Sequence, residues 1–262
     1  EASAAIGLVE STTWLMGSVM GAAAMGFSVQ VAHFIGANDF VKARRVFRHS
    51  LICGLVFSLL LAVVGVAIHR PLPYWLGGGA DIAGDSSLYF LLISLTLPFM
   101  LLFHLSCDML KSSGNMQTPS VMSVVLCVLD VMFNYFFIYI CKLGVMGAAL
   151  GTCCAYVCTS MPAVWLTAVK SKILALNLDH ERFQWIWDYV RNALKISLPM
   201  AVQSVLMSGA QIVSTLIVAP LGNIAIAANS FAITAESLCY MPGYGIGEAA
   251  TTLVGQTFGA GR

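Results

Sequence analysis

The residues that can ionise inside apolar stretches are few, and they mark where chemistry is possible. Asp130 sits in the run Val124-Val125-Leu126-Cys127-Val128-Leu129-Asp130-Val131-Met132-Phe133-Asn134. Asn134 follows it by about one helical turn, so the carboxylate and the amide share a face and can point together into a cavity. Glu236 precedes Pro242 in a second apolar run, and Glu248 lies further along between Gly247 and Ala249. A carboxyl group with little water around it is suited to reversible uptake of a proton or Na⁺, and to holding a cationic ligand. Asp130 with Asn134 is the first candidate site, and Glu236 the second coupling or substrate carboxylate. Glu248 is placed to line an inner cavity or to make a gating contact. Tyr240, with Trp14 and Tyr244, offers aromatic faces to a cation. Pro242 and Gly243 form a candidate hinge, because proline removes a backbone donor and frees a carbonyl. The competing reading of Asp130 and Glu236 is structural, a carboxyl group bonded between helices.

Other chemistries lack their residues. No GxSxG-like or HExxH element is present, and neither a nucleophile nor a base is apparent, so no enzyme is expected. The eight cysteines form no CxxC pair and most lie in apolar runs, which argues against metal or disulfide roles. His33 and His104 are lone histidines on apolar segments and read as packed side chains. Asp108, three residues before Lys111, reads as an ion pair at a helix end. No organic or metal cofactor is implied.

These groups need an apolar frame to hold them. Hydrophobic residues make up 59% of the chain and charged ones 10%, with a mean hydropathy of +0.86. A soluble domain usually carries about 25% charged residues, so lipid is the solvent that fits. A net charge of +1 gives no basic footprint for nucleic acid. About 20 apolar residues span a bilayer as a helix, and seven stretches qualify: Thr12–Ile35, Phe47–Ile68, Leu88–Leu110, Pro119–Ile140, Val145–Val169, Ile196–Ala219 and Ala225–Phe258. The longest link, Lys170–Lys195, places Phe183, Ile186, Trp187, Val190 and Leu194 at helical spacing beside Arg182, Asp188, Arg191 and Lys195, which predicts an amphipathic surface helix. Numbering the links alternately puts eleven of the 13 basic residues on one side, with only Arg70 and Lys142 opposite. By the positive-inside rule the first helix runs inward.

The chain also repeats itself. Glu10-Ser11-x-x-Trp14-x-x-Gly17 is echoed by Glu236-Ser237-x-x-Tyr240-x-x-Gly243, and Val31-Ala32-x-x-Ile35-Gly36-Ala37 by Val254-Gly255-x-x-Phe258-Gly259-Ala260. Both copies run inward, so they are parallel repeats. Glu10 lies nearer the outer end than Glu236 and is expected to be solvated.

Several segments resemble the multidrug and toxic compound extrusion (MATE) family. They include Lys111-Ser112-Ser113-Gly114-Asn115-Met116-Gln117-Thr118-Pro119, Gly144-x-x-Gly147-Ala148-Ala149-x-Gly151-Thr152 and Leu194-Lys195-Ile196-Ser197-Leu198-Pro199. The most specific is Pro242-Gly243-x-Gly245-Ile246-Gly247-x-Ala249, followed by Val254-Gly255-Gln256-x-x-Gly259-Ala260-Gly261. The order Asp130 then Asn134 departs from the family's Asn then Asp. Met207 stands where a NorM-like subgroup has Glu, which leaves that subgroup's cation site unsupported.

The resemblance implies an all-α polytopic membrane protein, a two-lobe bundle of parallel six-helix repeats, here about helices 2–8 of twelve. It divides the chain into 1–170 as the first lobe, 171–195 as a cytoplasmic linker and 196–262 as the start of the second lobe. It also implies an antiporter in a bacterial inner membrane, monomeric at full length, exporting organic cations in exchange for H⁺ or Na⁺. The alternative in the same superfamily is a flippase for lipid-linked oligosaccharide or peptidoglycan precursors. No Arg or Lys falls centrally in these helices to meet a pyrophosphate, which disfavours that alternative.

Overall fold

The computed structural model describes residues 2–178 and 184–261. Its helices are α1 (Ala2–Gly36), α2 (Phe40–Ile68), the short α3 (Leu72–Trp75), α4 (Ala80–Ser112), α5 (Gln117–Tyr135), α6 (Gly144–Trp165), α7 (Trp187–Val218) and α8 (Asn223–Gly259). One π-helical segment extends α5 over Phe136–Ile140 and another extends α6 over Leu166–Lys170. No strand occurs among the described residues. All but α3 are long and apolar enough to cross a bilayer, which gives the seven crossings expected of a multi-pass membrane protein.

Each crossing begins earlier than the hydropathy pattern places it, because backbone hydrogen bonding continues through residues that need not be apolar. At α2 the start is fixed by a cap. Asp39 Oδ1 accepts the backbone N–H of Lys42 at 3.2 Å, and Lys42 Nζ lies 2.9 Å from Asp39 Oδ2. The hydrogen bond from the Lys42 side chain holds the Asp39 carboxyl below the ordinary carboxylate range. In the expected linker, Arg182 and Phe183 lie outside the described residues. Trp187, Val190 and Leu194 form no separate surface helix. They belong to the first turns of α7, which runs unbroken from Trp187 to Val218.

The most buried helix is α1, and it organises the rest. It packs on α2, α4, α7 and α8. One core cluster gathers Leu8, Val9, Met20, Phe90 and Leu97 near the outer end; a second gathers Phe27, Val31, Phe47, Leu105 and Met109 nearer the inner end. Apolar burial drives little association in lipid, so polar links and close approach hold helices together. Ser11 bonds Thr215 at 3.0 Å and Ser18 bonds Ser208 at 3.4 Å, a seven-residue step on each of two antiparallel helices. Gln30 Nε2 donates to Tyr189 O at 3.0 Å on the same seam.

The link ends assigned to one side by charge do meet. Arg48 donates to Leu176 O at 3.1 Å, His49 Nε2 accepts the Ile186 N–H at 3.0 Å, and Gln256 Nε2 donates to Ser112 O at 2.7 Å. The repeat is visible here in three dimensions. A β-carbon on Gly36 would collide with the Gln256 carbonyl, and one on Gly259 would collide with the His33 carbonyl. Gly36 and Gly259 are repeat partners, as are His33 and Gln256, so the contact maps onto itself when the copies are exchanged. Ala32 and Gly255, also partners, lie between them, with 3.0 Å from the Ala32 Cβ to a β-carbon on Gly255. That self-complementary pattern is the signature of a local two-fold axis.

Candidate functional site

Asp130 and Asn134 are positioned by the packing of α5 on α6. Gly147 and Gly151 bring the α6 backbone against α5, where a β-carbon on Gly151 would collide with Asn134 Oδ1 and lie 2.8 Å from its backbone N. Both residues are half-buried. Asp130 Oδ1 and Asn134 Oδ1 are buried with no hydrogen-bond partner. Buried polar atoms are almost always satisfied, so two orphan acceptors one turn apart mark a place that water, a proton or a cation would complete.

Two tyrosines of neighbouring helices feel the charge of Asp130. Asp130 is within electrostatic reach of Tyr89 on α4 and Tyr156 on α6, and Glu10 also reaches Tyr89. The ring of His104 meets that of Phe103 edge-on, with centroids 5.6 Å apart, and lies 6.1 Å from Tyr156, but the residue is exposed, so the expectation of a packed side chain is only partly met. Tyr89 and Tyr156 were not legible in the sequence. A tyrosine in an apolar run is common, and only the packing of α4, α5 and α6 brings these two within reach of the Asp130 charge.

Glu10 differs from expectation. It is half-buried and accepts a hydrogen bond from Ser230 Oγ at 2.6 Å, because α8 closes over the outer half of α1. Glu236, its repeat partner, is exposed, as only one edge of α8 packs against α1. Among the described residues no hydrogen bond or ion pair joins Asp130 to Glu236. Tyr240 bonds Ser237 Oγ through its hydroxyl at 3.1 Å and lies 5.5 Å from the Tyr244 ring. Pro242 and Gly243 are exposed inside a helix that continues past them to Gly259.

Glu248 faces α4. Lys111 Nζ lies 2.5 Å from Glu248 Oε2 and 3.3 Å from Asp108 Oδ1. The Asp108–Lys111 pair is therefore present as the spacing predicts, with a third member the sequence did not reveal. All eight cysteines are unpaired, and His33 packs on the Phe258 ring at 5.2 Å. No group of three or more His, Cys, Asp or Glu able to hold a metal occurs among the described residues.

Comparison with known proteins agrees with this architecture. A family profile described as MatE matches residues 1–136 and 199–262. The chain is 26% identical over 203 residues to the multidrug export protein MepA of Staphylococcus saprophyticus, covering 78% of this chain and 45% of that protein. It is 25% identical over 267 residues to the probable multidrug resistance protein NorM of Thermotoga maritima, covering 100% of this chain and 57% of that one. The chain thus spans about half the length of these relatives. Among solved structures it superposes with a TM-score of 0.88 on the outward-facing conformation of a multidrug resistance MATE family transporter, at 22% identity, covering 98% of this chain and 57% of that one. With its seven crossings, its two-fold seam and a matching profile over most of its length, the chain belongs to the MATE family.

Proposed function

We propose that this chain is part of a secondary active exporter that moves organic cations outward in exchange for H⁺ or Na⁺ by alternating access. The observation that carries this reading is the buried, unsatisfied Asp130 Oδ1 beside the equally unsatisfied Asn134 Oδ1 in a membrane-spanning helix. A carboxylate at that depth is costly unless it performs a task. Among the described residues no ion pair holds it, and two tyrosines lie within reach of its charge, which suits alternate occupation by a small cation and an organic one. The names of MepA, a multidrug export protein, and NorM, a probable multidrug resistance protein, support drug export. Residues 1–170 form the first lobe in this reading and 196–262 the start of the second. Asp130 and Asn134 carry coupling, Glu236 and Tyr240 contribute from the second lobe, and Pro242 with Gly243 supplies flexibility.

The test is efflux of a fluorescent organic cation from proteoliposomes holding the full-length transporter, with H⁺ and Na⁺ gradients imposed separately. Ion-driven efflux that disappears in Asp130→Asn is expected. Efflux that keeps its rate and pH dependence in Asp130→Asn would remove this residue from the mechanism. Absence of efflux under either gradient would turn attention to lipid-linked substrates.

A further inference from the structure

The inner end of the molecule holds an arrangement of charge that the coupling site does not use. Asp108 and Lys111 lie one turn apart at the end of α4, and Glu248 reaches them from α8. Lys111 is three-quarters buried and shared between a carboxylate of its own helix and one from the other lobe. Around it, Ser28, Ser112, Thr251 and Thr252 line a small cleft between α1, α4 and α8. Ser112 ties the three helices together. Its hydroxyl bonds Ser28 Oγ at 2.7 Å on α1, and its carbonyl accepts from Gln256 Nε2 at 2.7 Å on α8. Just beyond, the α1 and α8 backbones touch at Gly36 and Gly259, so the lobes are shut at this end.

We propose that Lys111 is the positioning residue of an inner gate: shared by Asp108 and Glu248 while the lobes are closed here, and kept by Asp108 alone when they part. The inference rests on the alternating-access reading. A lysine paired only across the lobes would be left buried and uncompensated at every opening, a costly state. Asp108 moves with Lys111 because both belong to α4, so the ammonium keeps one partner in both states. Glu248, half-exposed already, passes into water on opening. The gate therefore weighs one ion pair against one hydrated carboxylate, and such a small difference suits an equilibrium that must run both ways.

The arrangement predicts effects of opposite sign for the two carboxylates. Glu248→Gln removes the cross-lobe partner and favours opening. Asp108→Asn leaves Lys111 dependent on Glu248 and favours closure. A structural ion cluster would loosen in both cases.

The experiment places Thr251→Cys, which lines the cleft, in the full-length protein with all its native cysteines replaced, the eight of this chain among them. Labelling by a membrane-impermeant maleimide is followed from the inner side. Glu248→Gln and Lys111→Gln are expected to speed labelling about tenfold, equivalent to ~1.4 kcal/mol in the gate equilibrium. Their double variant should be no faster than either single one, Asp108→Asn should be slower than the parent, and Lys111→Arg should match it. Unchanged labelling in Glu248→Gln, or faster labelling in Asp108→Asn, would overturn the gate. Because labelling needs no transport, the two readings fail separately. Ion-driven efflux with unshifted labelling defeats the gate alone, whereas shifted labelling without efflux defeats the export reading alone.

Discussion

Asp130 and Asn134 were readable as a pair because polar residues one turn apart in an apolar helix have a single shared face. What their spacing did not disclose is that α6 presses its backbone against Asn134 through Gly151. A methyl group there has nowhere to go, since it meets backbone as well as the amide. Gly151→Ala is therefore expected to destabilise the protein by about 1–3 kcal/mol, as overpacking does. In detergent this appears as a lower melting temperature, and an unchanged midpoint would mean that α5 and α6 are further apart than described. Lys111 and Glu248 illustrate the opposite case. They are separated by 137 positions, and nothing local to either links them. Their pairing is decided by how α4 and α8 cross, so charge spacing along one helix yielded only the Asp108 contact.

At the scale of helices, hydropathy located all seven crossings but placed every start too late. Apolarity measures what lipid requires, whereas a helix ends where its backbone groups find other partners. Asp39 shows how a start is set. Replacing it with Ala removes the side chain that receives the Lys42 N–H, and a loss of about 1 kcal/mol is expected, measurable as a reduced melting temperature. The carboxyl is held below its usual range, so its contribution to stability is complete above the unfolded pKa of 3.8 and fades as pH falls below that value. Melting temperatures of the parent and Asp39→Asn should therefore converge in acid. A gap that persisted at low pH would show that charge plays no part in the cap. The extent of α7 escaped prediction for a related reason: the amphipathic pattern after Phe183 was real, but it decorates the start of a longer helix.

For the whole molecule, the repeat was the most informative reading. Two short motifs pointed to the architecture because each recurs with its glycine in place, and the structure brings the second pair, Gly36 and Gly259, to the close approach of α1 and α8. Gly36 meets Gln256 and Gly259 meets His33 by the same geometry. Gly36→Val and Gly259→Val are thus expected to impair the molecule alike, each forcing α1 and α8 apart at the inner end. Inner-side labelling of the cleft should rise in both. A rise in only one would mean that the two halves of the seam are not equivalent. The lateral arrangement was less legible, since α1 and α8 read alike in hydropathy while one is the central pillar and the other lies mostly open.

The seam joins main chain to main chain, and that has a bearing on how two copies of one unit can drift apart in sequence. An interface of interlocking side chains must change on both faces together, so each half constrains the other. Carbonyls and bare α-carbons are common to every residue type, so neighbouring positions are free to vary while the fit is kept. Trp14 and Tyr240, or His33 and Gln256, can therefore occupy matching places without disturbing the union of the halves. Two glycines preserve the symmetry of the pair, and the remaining positions are free to make the two copies chemically different.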